Sequence, residues 1–263
     1  MRKLIAQGIL FFLLCSSIST FQLLRLSILY NENENIANEN ALAETDKFRK
    51  KLNLRKLLPR VGFNNIHANL TFINFLQYFG NDELRNQNGY DLSPEFFESI
   101  ITNDPYYIDF YVFLTNSVSL NAARPEQSAD LLNKGLASLE ENRLDDSFYV
   151  WRYKGVDELL FLNDARSAKY SFRKAAEWAS ESSLPESDFI ASISQQTADF
   201  IEQNPNSKAA QIGAWSSVLT TAIDHETRGR AIQGIQALGG EVVIDENGGV
   251  TVKYAQGEQN TEG

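Results

Sequence analysis

Cysteine, histidine and proline are scarce in this chain: of 263 residues one is cysteine, two are histidine and six are proline. The single cysteine, Cys15, lies in an apolar N-terminal run, which excludes a disulfide framework, a thiolate nucleophile in the body and a cysteine zinc cluster. His67 and His225 are separated by most of the chain, and neither stands in a spacing such as His-Glu-x-x-His, so both read as capping or buried residues rather than ligands. A Gly-rich phosphate loop is missing as well, because Gly239-Gly240 and Gly248-Gly249 read as a helix cap and a hairpin turn. Carboxylates are plentiful, but Asp145-Asp146 and Asp157-Glu158 are adjacent pairs whose side chains point apart on a helix. They read as caps or solvated faces. No catalytic, cofactor-binding or metal-ligating residue emerges, no cofactor is implied, and nothing indicates a small-molecule substrate. The net charge of −10 argues against nucleic acid as a partner.

What the chain does have is an apolar start. Met1-Arg2-Lys3 leads into an apolar run from Leu4 to Leu14, broken only by Gln7 and Gly8, and apolar character returns from Phe21 to Tyr30. Basic residues ahead of such a run form a membrane insertion signal, because the charges stay on the cytoplasmic face while the run enters lipid. A cleaved signal peptide would end near Ser17 and Ser19. A lipoprotein signal would use Cys15, although Leu14 puts bulk where a small residue is usual. Leu4–Tyr30 is also long enough for the roughly 20 residues that span hydrocarbon, which favours an uncleaved single-pass anchor over residues 1–30. Residues 31–60 then form a linker, first rich in Asn and Glu and afterwards basic, with seven Lys or Arg from Lys47 to Arg60. Lys50, Lys51, Arg55 and Lys56, interleaved with Phe48, Leu52, Leu54, Leu57 and Leu58, could lie on an anionic lipid surface. The acidic residues next to the anchor place the body on the non-cytoplasmic side, in a periplasm or lumen.

Residues 61–238 read as an α-helical domain. Helical periodicity runs from Ile66 to Phe79, with Leu70, Phe72, Ile73, Leu76 and Phe79 forming a broad inward face. Ser93-Pro94-Glu95 caps a helix with Phe96, Phe97, Ile100 and Ile101 inside; Asp104-Pro105 starts one carrying Tyr107, Phe110, Tyr111 and Leu114. Further helices start at Arg124-Pro125, near Asp145-Asp146, at Asn163-Asp164, after Pro185 and Pro205, and near Glu226. Brief polar turns join them, as antiparallel helix pairs require. The period then changes: residues 239–255 form a β-hairpin, Glu241–Ile244 against Val250–Tyr254, and residues 256–263 are a disordered tail.

A 40-residue repetition relates Tyr111, Ser128, Leu132 and Gly135 to Trp151, Ala168, Phe172 and Ala175. Small residues at a helix crossing allow close approach, and a large one nearby fills the groove between hairpins. Ala168 to Ala176, with Trp151 and Gly155, resembles one tetratricopeptide repeat unit, although strict members of that family repeat at 34 residues. Gly62 to Gly80, ending Leu-Gln-Tyr-Phe-Gly, is similar to the opening helix of membrane-anchored bacterial proteins with tetratricopeptide-like repeats, including a group from photosynthetic bacteria. The resemblance implies an all-α array of helix hairpins with an N-terminal membrane anchor and a small C-terminal β-hairpin. It further implies a scaffold or assembly factor that binds another protein, without enzymatic activity. Tyr106, Tyr107, Tyr149, Tyr153 and Tyr170 are the candidate binding residues, as aromatic side chains left over once the core is filled. A helical envelope hydrolase acting on a polymer, and a structural subunit that oligomerises, stand as alternatives.

Overall fold

The computed structural model describes residues 16–20, 22–23, 41–57, 62–81, 84–85, 89–222, 224–244 and 250–254. The chain divides into two units, Met1–Asp46 and Lys47–Gly263. Within the first, residues 16–20 and 22–23 are helical and exposed; the rest of the expected anchor lies outside the described residues. No helix among the described residues is long and apolar enough to cross a membrane. The turn of the hairpin and the expected tail also lie outside them.

The second unit is mostly helical and ends in a two-stranded antiparallel hairpin. Its helices are α1 (Ala41–Leu57, entering from the first unit), α2 (Asn64–Phe79), α3 (Ser93–Asn103) and α4 (Asp109–Leu114), the last running into a π-helical segment, Thr115–Asn121. They continue as α5 (Pro125–Glu141), α6 (Phe148–Leu160), α7 (Ala165–Ser180), α8 (Ser187–Gln203), α9 (Lys208–Thr221) and α10 (His225–Ala237). Strands β1 (Gly240–Ile244) and β2 (Val250–Tyr254) pair with Val242 opposite Val252.

Local chemistry sets most of these boundaries. Pro94 and Pro125 sit in the first turns of α3 and α5, where a missing N–H costs nothing. Asp164, Ser207 and Asp224 cap α7, α9 and α10 by accepting from Ser167 N, Ala210 N and Thr227 N. Ser93 is not the cap that the sequence suggests. It is the first helical residue, fully buried, and Leu92 precedes it. Likewise α4 starts at Asp109 rather than at Asp104-Pro105, because the Pro105 carbonyl accepts the buried Tyr111 hydroxyl at 2.7 Å and the chain turns there first.

An aromatic core fills the N-terminal half. Phe75 packs within 4.7–5.9 Å of Phe79, Phe96 and Phe97, and Tyr78 within 5.5 Å of Phe96. Phe48 of α1 joins them at 5.8 Å from Tyr78 and 6.3 Å from Phe96. Phe48 and Leu52 are therefore core residues, and the compact body begins at Lys47, upstream of residue 61. Full burial of each such side chain contributes roughly 1.5–3 kcal/mol. The inward face of α2 differs from the expected one: Ala68, Thr71, Phe75, Tyr78 and Phe79 are buried, whereas Leu70, Ile73 and Leu76 face outward.

Toward the C-terminus the helices pack in sequence order, α5 on α6, α6 on α7 and α7 on α8. The order then breaks. The α9–α10 pair folds back, α9 onto α6 and α10 onto the π-helical segment, and the hairpin packs beside both. Val156 and Leu159 of α6 share one apolar cluster with Ile212, Val218 and Leu219 of α9 and with Ala231 and Ile235 of α10.

Candidate functional site

Helix α6 is the centre of the body and meets a different neighbour on each side. Against α7, Gly155 has no side chain, so the Phe172 ring rests on its backbone; a methyl group there would lie 3.0 Å from the ring. On the same side Lys154 Nζ is 2.7 Å from Glu158 Oε1 and 3.3 Å from Ser171 Oγ, and Ser171 donates to Glu158 Oε2 at 2.6 Å. All three are buried, and every charge there has a partner. The Lys154 ammonium also lies 5.2 Å from the Trp151 ring, which meets Trp178 edge-on at 5.9 Å.

On the opposite side, Asp157 points into the π-helical segment. Its Oδ2 accepts from Ser119 Oγ and, at 2.8 Å, from Ser128 Oγ of α5. Burial pushes the Asp157 carboxyl up to about 7 against the pull of those two hydroxyls, and the nearby Glu158 charge adds to the rise. The segment Thr115-Asn-Ser-Val-Ser-Leu-Asn121 is buried throughout despite its polarity. Its wide turns end at Ala122 and Arg124, whose N–H groups donate to Ser117 O and Val118 O, and Ala123 between them takes the left-handed φ of 53°. Asn121 Nδ2 is 3.4 Å from Thr227 Oγ1, and Arg230 Nη1 donates to Leu120 O at 2.8 Å, so α10 closes the segment from outside. Asn116 Nδ2 has no hydrogen-bond partner among the described residues. A cleft of about 20 Å³, lined in part by Asn116, Tyr153, Asp157, Ser217 and Thr221, lies alongside; that is on the order of one water.

A third side of α6 meets α9, whose Ser217, Val218 and Thr221 line the same cleft as Tyr153. At the N-terminal end of α6, Tyr149 and Tyr153, one turn apart, stack with ring centres 6.4 Å apart. Burial raises both hydroxyls, Tyr153 to about 12, and Glu186 hydrogen-bonds Tyr149. Asp109 and Asp146 also raise Tyr153, so acidic groups from the start of α4, the turn before α6 and the turn before α8 bear on the pair. The Asp146 carboxyl is itself held above its usual range, by burial and then by Asp109 and Asp145. Arg152 is the one cation beside them among the described residues; burial lowers it, and its Nη1 donates to Ser194 Oγ of α8 at 2.7 Å.

Of the five tyrosines singled out in the sequence, Tyr149 and Tyr153 are thus brought together and remain partly open to solvent. Tyr106 and Tyr107 are exposed in the turn before α4, with Tyr107 4.5 Å from Phe110. Tyr170 is exposed on α7 and meets Trp151 edge-on at 5.8 Å, on the side of α6 away from Tyr153. Asp157 and Glu158 do point apart, yet they are buried rather than solvated. Asp145 is exposed and accepts from Ser183 Oγ. Lys50, Lys51 and Lys56 are exposed on α1; Arg55 is half-buried, and burial lowers it. His67 lies on α2 and His225 opens α10. No group of three His, Cys, Asp or Glu that could hold a metal occurs among the described residues. Comparison with family models, with curated proteins and with solved structures gives no match.

Proposed function

We propose that this chain is a membrane-tethered helical scaffold of tetratricopeptide-like hairpins that holds a segment of another protein beside Tyr149 and Tyr153 of α6. The observation that carries the reading is the stacked Tyr149–Tyr153 pair, partly open to solvent and within the electrostatic reach of Asp109, Asp146 and Glu186. Aromatic side chains supply most of the energy in such contacts, and their stiffness keeps the ordering cost low. The hairpin reading is supported by two close helix crossings, Gly135 under the Tyr111 ring and Gly155 under Phe172, although the two do not fall on equivalent positions of the 40-residue repetition. The buried carboxylates engage separate neighbours, which favours a binding role for α6 over an acid and base pair. The apolar stretch within residues 4–30 serves as the tether, with the body on the non-cytoplasmic side.

The test is site-specific photocrosslinking in native membranes. A crosslinker at position 149 or 153 should give a discrete adduct, and one at Glu177 on α7 should give none. Absence of an adduct from both tyrosine positions, with the chain present and folded, overturns the binding site.

A further inference from the structure

The outward face of α2 carries a continuous apolar stripe that the core does not use. Phe63, Ile66, Leu70, Ile73 and Leu76 recur at helical spacing and are between 40% and 59% exposed. Single exposed apolar residues are ordinary, but five along one helix face form a patch of the kind that marks an interaction surface. No charged residue occurs anywhere in Asn64–Phe79.

The neighbouring helix decides what the stripe fits. Phe48 of α1 and Phe75 and Tyr78 of α2 all pack against Phe96 of α3, at 6.3, 5.9 and 5.5 Å. With both helices laid on the same support, their opposite faces turn away from it together. On α1 the residues opposite Phe48 and Leu52 include Lys50, Leu54 and Leu57, with Leu54 and Leu57 exposed, and Lys51 and Lys56 flank them in the open. The outer layer is thus an uncharged apolar stripe beside a lysine-rich one. Elsewhere the chain is acidic enough to bring the net charge to −10 despite the basic run from Lys47 to Arg60.

We infer that this layer, the α2 stripe with its α1 lysine rim, rests on an anionic bilayer surface, the stripe entering the headgroup boundary and the lysines pairing with lipid charge. A second copy fits less well, because a twofold contact would set the lysine rim against itself. An anionic bilayer attracts that rim. The inference does not depend on the protein-binding reading of α6.

The full chain, with Cys15→Ser and one fluorophore-bearing cysteine at Leu70, Ile73 or, as the control, Glu177, is placed in phosphatidylcholine bilayers with and without phosphatidylglycerol. Brominated acyl chains report contact with lipid, and iodide reports contact with water. Positions 70 and 73 should be quenched by the brominated lipid several-fold more than position 177 in the anionic bilayers. The difference should shrink at high salt and on Lys50→Glu, Lys51→Glu, Lys56→Glu substitution. Full access of iodide to positions 70 and 73 in anionic bilayers overturns the inference. So does protection from iodide without bromine quenching that grows with protein density, which would assign the face to a second copy. A chain washed out of the bilayers is added back from solution to the same vesicles, so loss of the tether and failure of the surface contact are read separately.

Discussion

Replacing Gly135 with alanine probes the closest crossing in the body, where α5 passes the helix that runs from α4 into the π segment. In an unobstructed helix interior, alanine for glycine stabilises by about 1 kcal/mol. At Gly135 the new methyl would lie 2.1 Å from Tyr111 Oη and 2.6 Å from two ring carbons, against a comfortable separation of about 3.5–4.0 Å. The ring has nowhere to go. Tyr111 is fully buried, and its hydroxyl donates to Pro105 O at 2.7 Å, so displacement adds the loss of a hydrogen bond, about 0.5–1.5 kcal/mol, to overpacking of about 1–3 kcal/mol. After the propensity gain is subtracted, a net loss of about 1–3 kcal/mol is expected. Two controls bracket the value. At Gly213, in α9, nothing lies within 4 Å, and Gly213→Ala should stabilise by about 0.5–1 kcal/mol. At Gly155 the methyl would stand 3.0–3.2 Å from the Phe172 ring, which must yield by a few tenths of an ångström, and the two effects should nearly cancel. Urea unfolding followed by far-ultraviolet circular dichroism in a mild detergent gives the three midpoints, with an unchanged slope as the check that the same surface unfolds. Equal stabilisation by Gly135→Ala and Gly213→Ala would refute the close crossing, and with it part of the structural support for the hairpin reading.

Three further outcomes are expected. Because burial raises the Asp157 carboxyl from 3.8 to about 7, the folded chain keeps a proton that the unfolded chain releases; this contribution is complete below pH about 4 and is lost as pH rises to 7, so wild-type stability should fall by up to a few kcal/mol across that window relative to Asp157→Asn. Parallel pH profiles from chemical denaturation would show that the carboxyl is not buried. Lys154→Met strands the buried Glu158 carboxylate and should cost about 3–5 kcal/mol in the same assay, whereas Lys154→Met with Glu158→Leu should recover most of it; no recovery would mean that the pair is not paired in solution. The full-length chain should remain in membranes after high-salt and carbonate washing, and a mature N-terminus near Thr20 would replace the anchor with a cleaved signal.

The starts of α5 and α7 could be read from the sequence because Pro125 and Asp164 act within a turn of themselves, and α10 begins within a residue of the expected Glu226. The face of α2 could not. Its nine apolar residues are spread around the helix, so periodicity offers more than one stripe, and the ring packing with Phe96 and Phe97 selects Phe75 and Tyr78. The π-helical segment carries no apolar period, since four of its seven residues are Ser or Asn and a fifth is Thr, so no element is read there. What holds it is distant: Ser119 meets Asp157, and Asn121 meets Thr227. Tyr149 and Tyr153 show their one-turn spacing in the sequence, but the acidic groups that bear on them come from three separate stretches. The one local clue to the polar centre was an acid pair in the middle of a helix with Val156 and Leu159 on either side.

The contacts that seal the π-helical segment have a consequence for biosynthesis. Arg230 and Thr227 reach back to Leu120 and Asn121 across more than a hundred residues, with separations of 110 and 106. Such closures are slow, because a long loop must be drawn together before any contact rewards it. During synthesis the helices through α8 can pair with neighbours already made, while a row of backbone and side-chain polar groups waits uncovered for α10. A ribosome pausing after α8 has emerged but before α10 is made would therefore hold a nascent chain whose outer hairpins are built and whose π-helical segment is still uncovered, and the final helix would act as the closing step that converts it to the native body.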